Sequence, residues 1–208
     1  MTTRKGRQTR ERLLHAAQGL FRKKGYQGTS MREIAQAVGL REASLYYYAP
    51  GGKEQLFVEV VSQELATYRE GILQAIGQAS PQLEAQLRSV AVWLLSQPPP
   101  PLFRLFETDA QFLSPSHREA LYTRLAEDLY RPLAILFRNA QIRGEIRAVD
   151  PIFLATQFLS TLIGLHHARS ANLFLQDDDA LITTLLDGLL HGLAPPPPDA
   201  TDTTPSSA

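Results

Sequence analysis

Apolar residues recur along this chain three and four positions apart, the period of a helix, and nowhere sustain the two-residue alternation of a strand. Leu13/Leu14, Ala17 and Leu20/Phe21 form the first stripe, with Arg10, Glu11, Arg12 and Gln18 off it. Gly25 follows Arg22, Lys23 and Lys24, which predicts a helix stop: cations suit the last turn and glycine the left-handed position beyond it. Ser30-Met31-Arg32-Glu33 is a capping-box pattern that opens a short helix with Ile34, Ala35 and Val38 as its apolar face and Gly39 as its end. Glu42 to Tyr48 predicts another short helix with Leu45 turned inward, and Pro50-Gly51-Gly52 a turn. A longer helix is expected from Lys53 to about Ile76, on the stripe Leu56, Phe57, Val60, Val61, Leu65 and Ile72.

The second half continues in the same period. Gln82 to Ser96 is amphipathic and stops at the prolines 98–101, which cannot continue a helix. Leu102 to Phe112 reads as a short helix, and Ser116 to Arg143 as a long one that Pro132 should kink or break. Asp150-Pro151 places a cap before proline at the first helical position and opens a helix to about Ser170. Asp177-Asp178-Asp179 put negative charge at the start of a last helix reaching Leu193. The tail 195–208, rich in Pro, Ser, Thr and Asp, is expected to be disordered. The predicted fold class is all-α: a three-helix N-terminal domain over residues 1–52, a helical body over 53–194, and the tail.

Composition narrows the function. At 208 residues with 44% apolar content, the chain suits one or two globular domains. The absence of cysteine excludes disulfides, thiolate metal sites and a cysteine nucleophile. The basic N-terminus lacks the apolar core of a signal peptide, and the apolar-rich stretch 152–165 is too short and polar to span a bilayer, so a cytoplasmic protein with no membrane partner is expected. The formal net charge of zero conceals an asymmetry. Residues 1–53 hold eleven Lys and Arg against three acids, a surplus of eight positive charges that the remainder offsets. A basic end on an acidic body is a footprint for a polyanion, although a solvated basic tail has the same composition.

Two short helices, the first closed by Gly39 and the second starting after Leu40-Arg41, have helix-turn-helix spacing, which generic helical hairpins share. The second helix carries the functional signal. Only Leu45 and part of Tyr48 or Ala49 face a core; the other side offers the small Ala43 and Ser44, which admit close approach to DNA, and the hydroxyls of Ser44, Tyr46 and Tyr47, which suit phosphates and base edges. Around these residues lie Ala17, Phe21, Gly25, Tyr26, Thr29-Ser30, Ile34-Ala35, Gly39-Leu40, Leu45-Tyr46 and Pro50-Gly51-Gly52-Lys53-Glu54. Together, over about forty residues, they resemble the DNA-binding domain of the TetR (tetracycline repressor) family.

The resemblance implies a regulator, most often a repressor, that binds a double-stranded DNA operator as a homodimer and is released by a small-molecule effector. It puts the recognition helix on Glu42 to Tyr48. DNA-binding residues are then Ser30, Arg32, Arg41, Glu42, Ala43, Ser44, Tyr46 and Tyr47, with Lys53 resembling the family's phosphate-gripping lysine. Arg41 stands where a capping residue is usual, and Tyr48-Ala49 replaces a common histidine-phenylalanine pair, which raises the question of how this helix is pinned. Gly51-Gly52 looks one residue longer than the usual turn. Arg4, Lys5, Arg7 and Arg10 read as an arm for a groove or phosphates, or as a solvated leader. Two alternatives stay open: an activator on the same scaffold, and a helical small-molecule-binding protein with weakened DNA binding.

In the body, Ser160 and Gly164, and Gly188 and Gly192, are four apart and open lanes for close helix packing. With Phe158, Leu162, Leu165, Leu185 and Leu189 they make a candidate dimer interface. Trp93, Phe103, Phe106, Phe112, Tyr122, Phe137 and His166 are candidate lining for a ligand pocket between the central helices, or ordinary core. His166-His167 do not read as a metal site, since neighbours on a helix point about 100° apart. No phosphate loop, nucleophile elbow or His-Glu-x-x-His pattern is present, so neither catalytic residues nor a cofactor is expected.

Overall fold

The computed structural model describes residues 4–98, 108–173 and 177–191, and among them every regular element is helical. The order is α1 (Arg4–Lys24), α2 (Met31–Ala37), α3 (Glu42–Tyr48), α4 (Gly52–Gln78), α5 (Leu83–Ser96), α6 (Pro115–Leu125), α7 (Arg131–Ile142), α8 (Pro151–Ser170) and α9 (Asp178–His191). The all-α expectation is met. The tail 195–208 and most of the helix expected at Leu102 to Phe112 lie outside the described residues; of the latter, Ala110–Phe112 form a single 3₁₀ turn.

The boundaries follow local chemistry. At α2 the capping box closes both ways: the Glu33 N–H donates to Ser30 Oγ at 3.2 Å and the Ser30 N–H donates to Glu33 Oε2 at 2.9 Å. Gly39 ends the segment at φ 72°, and Gly52 takes φ 70° at the start of α4; in this region a side chain would be strained. At α8 the Asp150 carboxylate accepts the N–H groups of Ile152 and Phe153 at 2.7 and 3.3 Å, with Pro151 behind it. The long helix expected over Ser116 to Arg143 is divided. A five-residue π turn, Ala126–Tyr130, separates α6 from α7, and Pro132 sits in the first turn of α7, where its missing N–H costs nothing.

The described chain forms two compact units, Met1–Gly71 with Pro98–Leu129, and Ile72–Gln97 with Tyr130–Ala208. In the first, α1 packs on α2 and α2 on α3 over Leu13, Ala17, Ile34, Ala35 and Leu45, all buried. Glu64 of α4 is also buried, and its Oε1 accepts from Gln18 and from Arg22 at 2.8 Å each, which ties α1 to α4. In the second unit α5 packs on α9, and α7 on α8. Its core holds Leu87, Val90, Leu133, Phe137, Leu154, Phe158, Ile182 and Leu186, with the rings of Phe137 and Phe158 edge to face at 6.5 Å.

Candidate nucleic-acid interface

Seven residues make α3, too few to hold a helix alone in water, so its conformation comes from what it packs on. Leu45 is 0% exposed and is the only buried residue of the helix; Ala49, just past its end, is also buried. Arg41, Glu42, Ala43, Ser44, Tyr46 and Tyr47 are all exposed, Tyr47 at 80%. The helix therefore has one apolar anchor and presents hydroxyls, small residues and one acid–base pair outward. On α2, Arg32 is exposed, while the exposed Ser30 is committed to the capping box. Lys24 Nζ lies 2.5 Å from Glu33 Oε1. Its bond, with those from Ser30, lowers the Glu33 pKa to about 2.

Lys53 is engaged within the chain. Its ammonium donates to the Tyr26 carbonyl at 3.0 Å and lies 4.2 Å from the centre of the Tyr26 ring. Two of its three N–H donors remain for other acceptors by that count. Tyr26 is a junction: its ring meets Phe57, and its N–H donates to the buried Asp109 at 3.0 Å. Burial, and then the Glu54 charge, push the Tyr26 phenol up. Glu54 in turn accepts the Ser114 N–H at 2.5 Å and sits 2.9 Å from His117 Nδ1; the Ser114 hydroxyl, then the Ser114 N–H and His117, hold its carboxyl below the usual range.

Arg10 departs from its expected place in an unstructured arm, because α1 already begins at Arg4. Its guanidinium donates to the Tyr48 carbonyl at the end of α3 and pairs with Glu59 of α4 at 2.5 Å. The sequence reading missed this, along with Tyr26, Glu54 and Asp109. The sequence reading set Arg10 off the apolar stripe, yet it lies three and seven residues before Leu13 and Ala17, a spacing that puts it beside them on α1. For Asp109, 83 residues from Tyr26, no local pattern was available. The helix ending Tyr48-Ala49 is thus pinned by Leu45, Ala49 and a guanidinium. Beside it, a depression of 310 Å³ is lined by Tyr47, Tyr48, Gly51, Gln55 and Arg10, among others.

The family comparison falls on this same segment. Residues 13–60 match the family model described as bacterial regulatory proteins, tetR family. The N-terminal domain belongs to the TetR family. Outside that domain the sequence likeness thins. The HTH-type transcriptional regulator LmrA of Bacillus subtilis is 44% identical over 64 residues, 31% of this chain and 34% of LmrA. The chain thus spans about a third of the length of that curated relative. The TetR family transcriptional regulator PfmR from Thermus thermophilus is 27% identical, with a TM-score of 0.61 over 88% of this chain and all of that one. AibR, solved in complex with isovaleryl coenzyme A and operator DNA, is 24% identical with a TM-score of 0.65 over 90% of this chain and 99% of AibR. At that identity the likeness to AibR is one of fold.

The helical body sorts its expected residues differently. Phe158, Leu162 and Leu189, proposed for a dimer face, are 0%, 2% and 9% exposed within the single chain. They point into the core and have no surface to offer a second copy. Leu165 and Leu185 are half-buried, and Gly188 is exposed. The outward stripe of α8 is instead Phe153, Gln157, Ser160, Gly164 and His167, and that of α9 includes Thr184 and Gly188. A methyl group added at Gly164 or Gly188 would meet open space.

Of the expected pocket residues, Phe112 and Tyr122 are exposed and belong to the first unit. Trp93 and His166 are half-buried in the second, where Phe137 is core. Among the described residues neither His166 ring nitrogen has a hydrogen-bond partner, and burial, ahead of the Arg169 and His167 charges, lowers its pKa. Phe103, Phe106 and Gly192 lie outside the described residues. Among the described residues no group of three or more His, Cys, Asp or Glu is placed to hold a metal, and no helix is long and apolar enough to cross a membrane.

Proposed function

We propose that the chain is a transcriptional repressor that binds a near-palindromic operator as a homodimer and leaves it when a small hydrophobic or aromatic effector binds the body. The observation that carries this reading is α3: six of its surrounding residues, Arg41 to Ser44 with Tyr46 and Tyr47, are exposed on a TetR-family head, while Leu45 alone is buried. Ser44, Tyr46 and Tyr47 read base edges, Arg32 and Arg41 contact the backbone, and Glu42 accepts from a cytosine amino group. Lys53 reaches a phosphate with the donors that Tyr26 leaves it.

Dimerisation lets two heads address half-sites about 34–36 Å apart. Its surface is the outward stripe of α8 and α9, where Gly164 and Gly188 leave room for a facing helix. A hydrophobic or aromatic effector is supported by Trp93 and by the His166 imidazole, unpartnered among the described residues, in the second unit, and release by a small molecule by the isovaleryl coenzyme A bound to AibR. A mobility-shift titration on DNA enriched from a random pool, repeated over a salt series, tests the proposal. A preference over random duplex of about 10³-fold or more is expected, with affinity falling steeply as salt rises. No preference, or no salt dependence, would overturn it.

A further inference from the structure

The C-terminal turn of α3 faces a problem that its composition does not solve. Three consecutive tyrosines are mediocre helix formers, the helix buries one leucine, and its last carbonyls have no intrahelical partners. The Ala49 N–H returns to the Leu45 carbonyl at 2.9 Å, which leaves the Tyr48 carbonyl, at the last position of the helix, to be met by a side chain. Arg10 meets it. The guanidinium brings positive charge to the negative end of α3 and bonds its carbonyl, while Glu59 holds the other side of the same planar group at 2.5 Å. Three helices are thereby joined through one side chain: α1 by Arg10, α3 by Tyr48 and α4 by Glu59. The Tyr48 ring then stands edge-on to Tyr47, centroids 5.1 Å apart and planes at 89°. Tyr47 is otherwise the most exposed aromatic residue on the head.

We infer that Arg10 is a positioning residue for DNA reading: it sets the angle of the recognition helix and, through Tyr48, the stance of the Tyr47 phenol, and it is not a phosphate contact. This rests on the DNA-binding reading above. Its charge is already countered by Glu59, and its two terminal nitrogens are each committed within the chain, one to Tyr48 and one to Glu59, so neutralising it should release no counterion from DNA. Lysine cannot replace it, because one ammonium lacks the fork that takes a carbonyl and a carboxylate in fixed directions.

The test uses the full chain, a duplex enriched from a random pool by the wild type, and a random duplex of equal length, each titrated over a salt series. Arg10→Ala and Arg10→Lys should both bind the enriched duplex about tenfold more weakly while random duplex changes by less than about twofold. The slope of log K against log salt should match the wild type. Helical circular dichroism checks folding. Should Arg10→Ala fail to fold, Arg10→Lys carries the test, with the same loss on the enriched duplex and an unchanged slope. Equal weakening on both duplexes with the slope reduced by about one would make Arg10 a phosphate contact and overturn the inference. So would wild-type behaviour of Arg10→Lys. A wild type that does not prefer the enriched duplex would instead sink the DNA-binding reading itself.

Discussion

Replacing Phe158 by alanine separates core from surface on α8 more sharply than any other substitution in the second unit. The side chain is 0% exposed and packs edge to face against Phe137, itself 0% exposed. Removing such a ring and leaving the hole costs about 3–5 kcal/mol, which already includes the aromatic pair. Phe153, five residues earlier and 59% exposed, should cost less than about 0.5 kcal/mol in the single chain. Trp93 is the sole tryptophan and lies in the same unit on α5, so its fluorescence reports urea unfolding of the region that contains both. With a urea dependence of about 2 kcal/mol per molar, Phe158→Ala should lower the midpoint by about 2 M and Phe153→Ala by less than about 0.3 M. The two should also respond differently to protein concentration. If the outward stripe of α8 joins two copies, the wild-type and Phe158→Ala midpoints rise with concentration, and the Phe153→Ala midpoint rises less. Equal midpoints for the two variants would refute the assignment of Phe158 to the core.

Lys53→Ala should weaken enriched and random duplex alike and lower the salt slope by about one, measured by anisotropy; a change in preferred bases instead would mean that Lys53 reads sequence. Asp150→Ala should cost about 1 kcal/mol through the lost cap of α8, read from the Trp93 unfolding curve, and no loss would remove the cap from the account. Glu33 has a depressed folded pKa, so its contribution is complete above the ordinary value of 4.5 and disappears as pH falls towards about 2. Carboxyl NMR titration should place its midpoint near that lower value, and Glu33→Gln should flatten the acid limb; a midpoint near 4.5 would contradict the Lys24–Ser30–Glu33 geometry.

Helix identity was legible because it depends on signals within a few residues of each other. Ser30 with Glu33, Asp150 before Pro151, and glycine behind a run of cations each specify an end locally, and the observed caps fall where those residues stand. The break before Pro132 was legible as a disturbance, but its form, a π turn at Ala126–Tyr130, has no local residue pattern that announces it. Periodicity identified the apolar face of α8 without saying which apolar face meets its own chain. Phe158 and Leu162 were therefore assigned outward, when the i, i+4 stripe they share with Leu154 is the buried one. Arg10 and Asp109 show the opposite limit. A charged residue on a helix near a basic terminus reads as surface until its partner is known, and Tyr48, Glu59 and Tyr26 are 38 to 83 residues away.

The central claim, that the outward face of α3 reads base sequence, is tested most directly by repeating the random-duplex selection with Ser44→Ala and Tyr47→Ala beside the wild type. Both side chains are exposed and neither supports the fold, so the variants should stay folded. The account predicts that each still enriches a two-fold symmetric site, with altered preference at one or two positions per half-site and a cost of about 1–3 kcal/mol on the wild-type sequence. Enrichment of the unchanged wild-type sequence at unchanged affinity by both variants would contradict it.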